Sequence, residues 1–320
     1  MGSTLSAYAK QRCSANSEVT ELTSPAIVVR RSTAESRSTV AELSLVVREL
    51  WSSRELIQQL VVRDLRVRYQ QAVMGFAWAI FMPLLVVISG TIVRLAMSTM
   101  SGGALEGSAI ASTAVKGLAW SFFAAALGTA TQSLLANSSL ITKLHFPRES
   151  LPLSTIIAAA FDMLIGAIVI GALLPFLGVQ LSLQMLWLPL IVALLFLLVL
   201  ATSLITSCAN LFFRDVKYIV QTLLTFGIFV TPVFVEPAML GARVGRLIML
   251  NPVSPLLEAI RLSVIEGHNL LVPIVTTSRG VEFLTWSPWF LVYSAAVSVI
   301  GLIVAMRIFR RAAVLFAEYA

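Results

Sequence analysis

Residues 116–154 read KGLAWSFFAAALGTATQSLLANSSLITKLHFPRESLPLS, and this stretch decides the fold. An apolar run of about twenty residues, enough to cross a hydrocarbon core of about 30 Å as a helix, is followed by a charged interruption at 140–149. A second apolar run starts at Pro152. The interruption carries Lys143, His145, Pro147, Arg148 and Glu149. It is either a plain turn between two spans or a handle that another protein grips.

The same alternation continues on both sides. Apolar runs predict spans over about 76–98, 116–137, 152–177, 184–210, 218–235 and 286–306. The 320-residue chain is 58% hydrophobic and 12% charged, whereas a soluble domain carries about 25% charged residues. The expected fold is an all-α polytopic membrane protein with six transmembrane helices.

Three segments fall outside that pattern. Residues 1–45, rich in Ser, Thr and Ala, lack the apolar core of a signal peptide and read as a disordered cytoplasmic extension. Residues 54–71, RELIQQLVVRDLRVRYQQ, place Leu56, Ile57, Leu60, Val61 and Leu65 at helical spacing among arginines. That helix is too charged to span and is expected to lie amphipathically in the headgroup layer, or to serve as a simple positive anchor. Residues 236–268 hold two short apolar segments around Asn251, Pro252 and Pro255. They are expected to form a re-entrant helical hairpin over about 237–266, covered by protein because irregular backbone at membrane depth needs partners.

The net charge of +7 is dispersed between apolar runs, which favours lipid orientation over nucleic-acid binding. With both termini inside, Arg63, Arg66, Arg68, Lys143, Arg148, Arg214, Lys217, Arg307, Arg310 and Arg311 all fall on the cytoplasmic side, as the positive-inside rule requires. The expected location is a membrane, crossed several times, with both termini cytoplasmic. The two distant cysteines, Cys13 and Cys208, show no metal-ligand spacing.

Enzyme chemistry finds little support. No H-E-x-x-H or G-x-S-x-G signature occurs, and His145 and His268 fall on opposite sides of the expected topology. Asp162, in AAAFDMLIGAIV, is the clearest ionisable residue within a span; it is either functional or held by an interhelical bond. None of the four lysines sits in a P-loop. ATP-driven transport therefore requires a separate ATPase, with ATP and Mg held there and no cofactor in this chain. The aromatics Trp78, Trp120, Phe122 and Phe123 are expected either in the interfacial belt or along a carbohydrate path.

Several stretches together resemble the membrane subunit of type-2 ABC exporters, in particular the subgroup exporting O-antigen, teichoic acid, capsule or galactan chains. They are LVVRDLRVRYQQAVMGFAWAIFMPLL (60–85), SLLANSSLITKLHFPRESLPLS (133–154), NLFFRDVKYIVQTLLTFGIFVTPVF (210–234) and LNPVSPLLEAIR (250–261). The likeness runs in order from about 50 to 310, so the permease domain is expected over 46–311 and a cytoplasmic tail over 312–320. It implies a homodimer working with two copies of a separate ATP-binding cassette subunit on a polyprenyl-linked glycan. It further implies that Arg63, Asp64, Arg66, Arg68 and Tyr69 form a gate helix where arginines meet the lipid phosphate, since the guanidinium fork binds phosphate bidentately. Lys143, Phe146, Pro147, Arg148 and Glu149 form the main ATPase-coupling element in that likeness, and Arg214, Asp215 and Lys217 the second. Two other readings stand beside it: a type-2 exporter of a drug or lipid, and a membrane scaffold that transports nothing.

Overall fold

The computed structural model describes residues 48–70, 77–101, 106–143, 146–180, 182–278 and 281–313. The expected extension over 1–45, His145 and the end of the tail from 314 onward lie outside these residues. The described residues all belong to one unit, Leu43–Ala320.

Helix α1 (Arg54–Gln70) follows a short helical turn at 48–52. Glu55 in its first turn and Arg68 in its last complement the helix dipole. Its apolar stripe buries Ile57 and Leu60, while Arg63 and Arg66 stay exposed. The helix packs on α5 (Ser150–Leu173).

Among the described residues, four helical segments are long and apolar enough to cross a membrane. They are α3 (Gly107–Ala136), α5 with its 3₁₀ continuation to Leu177, α6 (Leu188–Phe212) with the 3₁₀ turn before it, and α10 (Pro288–Ala313). Two further helices are apolar over shorter stretches: α2 (Ala77–Ser101) over Leu84–Met100, and α7 (Val216–Gly227) with a 3₁₀ turn to Val230. The Val216–Val230 stretch rises about 22 Å at 1.5 Å per residue, less than the run to 235 predicted. Pro232 sets the limit: Thr231 is extended at φ −113°, ψ 155°, the conformation a following proline favours.

The third helix is the axis of the bundle, contacting α2, α5, α6, α7 and the short helix Val253–Val264. Ala111, Ala114, Ala119, Ala126 and Ala130 are all buried along it, and small side chains let neighbouring helices approach closely. One approach is closer still. A Cβ on Gly227 of α7 would come within 2.8 Å of the Trp120 ring, so only glycine fits there. The helix begins at Gly107, earlier than the apolar run predicted, and packing buries Ala111, Ser112 and Thr113 in its first turns.

A second apolar cluster joins Leu60, Leu134, Leu151, Leu204, Leu211 and Phe309, so α1, α3, α5, α6 and α10 converge there. The turn between α5 and α6 needs Gly178, whose φ of +78° lies in the left-handed region.

Two short helices, α8 (Gly241–Met249) and α9 (Val253–Val264), occupy the 236–268 segment. Every residue of α9 is buried. The intervening turn is pinned to α10, where Tyr293 Oη donates to the Leu250 carbonyl and Ser294 Oγ to that of Pro252, each at 2.7 Å. A correction to the all-α expectation follows: β1 (Ile274–Ser278) and β2 (Val281–Trp286) pair antiparallel. Their β-branched and aromatic residues, in IVTTS and VEFLTW, suit a pleated surface, and Trp286 Nε1 anchors the ribbon to the Leu270 carbonyl at 3.0 Å.

Candidate functional site

The gate-helix residues divide into two sets. Arg68 and Tyr69, in the last turn of α1, both donate to the carboxylate of Asp162 on α5. Burial, then the hydrogen bond and charge of Asp162, push the Tyr69 phenol above its ordinary pKa, so it stays protonated and donating. Arg63 pairs only locally with Asp64, at 2.9 Å. Arg66 stays exposed. Gln58, Gln59, Arg63 and Arg66 line an open surface of about 380 Å³ with Val62 and Val67. Beside it, Leu50, Ile57, Val61, Leu153 and Ile157 line an apolar groove of about 460 Å³.

The charged interruption is built into the fold rather than hanging from it. Lys143 closes the short helix α4 (Ser138–Lys143); its side chain and that of Trp78 are outside the described set. Phe146 packs on the second apolar cluster. The Pro147 carbonyl accepts from the backbone N–H of Ser150 at 3.0 Å and from its hydroxyl at 2.6 Å, starting α5. Arg148 donates to the Ala313 carbonyl at the end of α10, where helix carbonyls lack internal partners. Glu149, only 7% exposed, accepts from Arg310 Nε at 3.2 Å, and Arg310 Nη2 reaches Glu49 at 2.5 Å. Arg310 thus joins three segments: the turn before α1, the start of α5 and the end of α10. Its sequence context showed only a positive charge flanking a span.

In the second contact, Arg214 and Asp215 are exposed between α6 and α7. Buried Asn210 shapes that break, its Oδ1 accepting from the Lys217 backbone N–H at 3.1 Å. The Lys217 ammonium lies 4.7 Å from the Tyr218 ring centroid, a cation–π distance.

Trp120, Phe122 and Phe123 are buried in the core. Trp120 stacks on Phe123 at 5.5 Å between centroids. Within the protomer these rings face packed helices rather than an open surface.

Sequence reading missed a buried charged network. Arg94 of α2 donates to Glu236 at 2.7 Å and to Thr113 of α3 at 3.1 Å. Arg261 of α9 holds Glu258 at 2.6 Å and Glu266 at 2.6 Å, with Glu236 at 3.7 Å. Lys116 of α3 is completely buried and lies within electrostatic reach of Glu258, Arg261, Glu236 and Arg94. The available signals were a lysine inside an apolar run and the i,i+3 pair Glu258–Arg261. The partners span more than a hundred positions, so tertiary packing alone brings them together.

Long apolar helices with a charged helix docked beside them mark a multi-pass membrane protein. The ABC-2 type transporter family matches residues 55–265, from α1 through α9, and this chain belongs to that family. An O-antigen export system permease protein RfbA of Klebsiella pneumoniae is 30% identical over 206 residues, covering 63% of this chain and 77% of the relative. The Myxococcus xanthus protein of the same name is 26% identical over 251 residues, covering 76% and 93%. Family membership makes this chain a multi-pass transport subunit and implies a separate ATP-binding cassette subunit as its partner.

Proposed function

We propose that this chain is the permease of an ATP-driven exporter that moves a polyprenyl-linked polysaccharide outward across the bacterial inner membrane. The observation that carries the reading is the similarity over most of their length to O-antigen export permeases. In this reading α2 and α7 complete six spans, both termini are cytoplasmic, and α8–α9 form a re-entrant hairpin on the outer side. Two copies of the chain work with two ATPase subunits, which bind ATP and Mg.

The glycan's phosphates meet Arg63 and Arg66 on the open face of α1, while Arg68 and Tyr69 hold that helix against α5. The adjacent apolar groove suits a lipid tail. The two cytoplasmic contacts, 143–149 and 214–217, receive the movement of the ATPase subunits. ATP binding favours an open path only through contacts that differ between the two states.

Deleting the gene tests the reading. Accumulation of a lipid-linked glycan inside the cell, reversed by complementation, supports it; unchanged lipid-linked pools overturn it. Purification in detergent separates transport from scaffolding, because a scaffold has no reason to hold an ATPase in stoichiometric amount.

A further inference from the structure

Among the described residues, the buried polar atoms without a protein partner include Ser112 Oγ and Lys116 Nζ on α3, and Ser254 Oγ and Glu258 Oε2 on α9. Each pair is spaced i,i+4, which places both members on one face of its helix. The two helices pack together, and Glu258 is the carboxylate whose charge acts most strongly on Lys116. All four residues are at most 3% exposed.

Several other buried serines satisfy themselves by donating to a carbonyl three residues back, as Ser133, Ser154 and Ser263 do. Ser112 and Ser254 do not. An ammonium and a carboxylate oxygen left without hydrogen bonds in a dry interior each carry a large desolvation cost. Something polar belongs between them.

Charge decides its nature. Arg94, Lys116 and Arg261 are balanced by Glu236, Glu258 and Glu266, so the network offers no excess charge for an ion to neutralise. A neutral ligand of the smallest size fits, with an ammonium donor, a carboxylate acceptor and two hydroxyls that do either. Buried water typically makes about three such bonds.

We propose that Ser112, Lys116, Ser254 and Glu258 enclose a buried water site that joins α3 to α9. A water-bridged contact lets α9 shift against α3 while the lysine and glutamate keep hydrogen-bond partners. The site is independent of which cargo the protein carries.

The test uses the full-length protein in lipid nanodiscs. Ser112→Ala and Ser254→Ala separate the two possibilities by sign. If the hydroxyls bind water, each variant lowers the thermal unfolding midpoint by about 2 °C, because the bridge loses a partner. If they are merely buried, removing an unsatisfied group leaves the midpoint unchanged or raises it, and the proposal is overturned. A cryo-EM map that resolves water checks the same point directly. Density about 3 Å from both Lys116 Nζ and Glu258 Oε2 is expected; a direct Lys116–Glu258 contact with nothing between overturns the site.

Discussion

The Tyr69 phenol donates to the same Asp162 carboxylate that accepts from Arg68. One acidic residue in an apolar helix therefore holds the last turn of the charged helix beside it. The two readings of Asp162 left open by the sequence converge here: its bond is interhelical, and the helix it holds carries the exposed arginines.

Asp162→Ala should loosen α1 without unfolding the bundle. In a background with Cys13 and Cys208 replaced by Ser, a cysteine placed at buried Ile57 should react faster with a thiol reagent once Asp162 is lost. Unchanged labelling would show that apolar packing alone docks the helix.

The same contact predicts an alkaline limit. The Tyr69 phenol has a raised pKa in the folded protein, so its contribution is complete below the ordinary tyrosine value of about 10. Above that pH the unfolded chain loses its proton first, and the stability drawn from Tyr69 declines. Tyr69→Phe should flatten the fall in unfolding midpoint between pH 9 and 11 relative to wild type; an unaltered profile would refute the assignment.

Arg66 and Arg68 should separate in experiment. Arg66→Ala is expected to leave the unfolding midpoint unchanged and to slow export, read as accumulated lipid-linked glycan. Arg68→Ala is expected to lower the midpoint as well, because it removes a bond to Asp162. Equal effects on stability would contradict the division between an exposed and an anchoring arginine.

Glu149→Gln removes one of the two carboxylates that Arg310 holds and should cost about 1 kcal/mol, seen as a lowered unfolding midpoint. A charge reversal at Arg148 or Glu149 therefore reports on folding as well as on ATPase coupling. Export has to be normalised to folded protein. The exchanged pair Glu149→Arg with Arg310→Glu should recover part of the loss; no recovery would show that their proximity contributes nothing.

At the α3–α7 crossing, Gly227→Val should strongly impair folding, since its Cβ would meet the Trp120 ring. Trp120→Leu should restore part of the yield by opening that space. Wild-type yield from Gly227→Val alone would mean the crossing is loose.

The fold was legible where one physical rule dominated. Apolar run length marked α3, α5, α6 and α10, and apolar residues at helical spacing among arginines marked α1. It was less legible where packing overrode composition. The first turns of α3 include the buried polar residues Ser112 and Thr113, and α7 stops early because Pro232 constrains the residue before it. The strands at 274–286 carried a β-branched signal inside an otherwise helical pattern. Site residues followed the same division: Arg148 and Glu149 stood out from their apolar surroundings, whereas their partners Ala313 and Arg310 lie about 160 positions away. Lys116 and Glu236 gain meaning only from each other's neighbourhood.

The position of Arg310 and Ala313 also orders events during synthesis. The turn at 147–149 leaves the ribosome well before the helix that completes it, so Glu149 and Arg148 wait for partners translated about 160 residues later. Until α10 is made and inserted, that turn stays unlocked. A chain interrupted before residue 310 would leave the Glu149 carboxylate without Arg310.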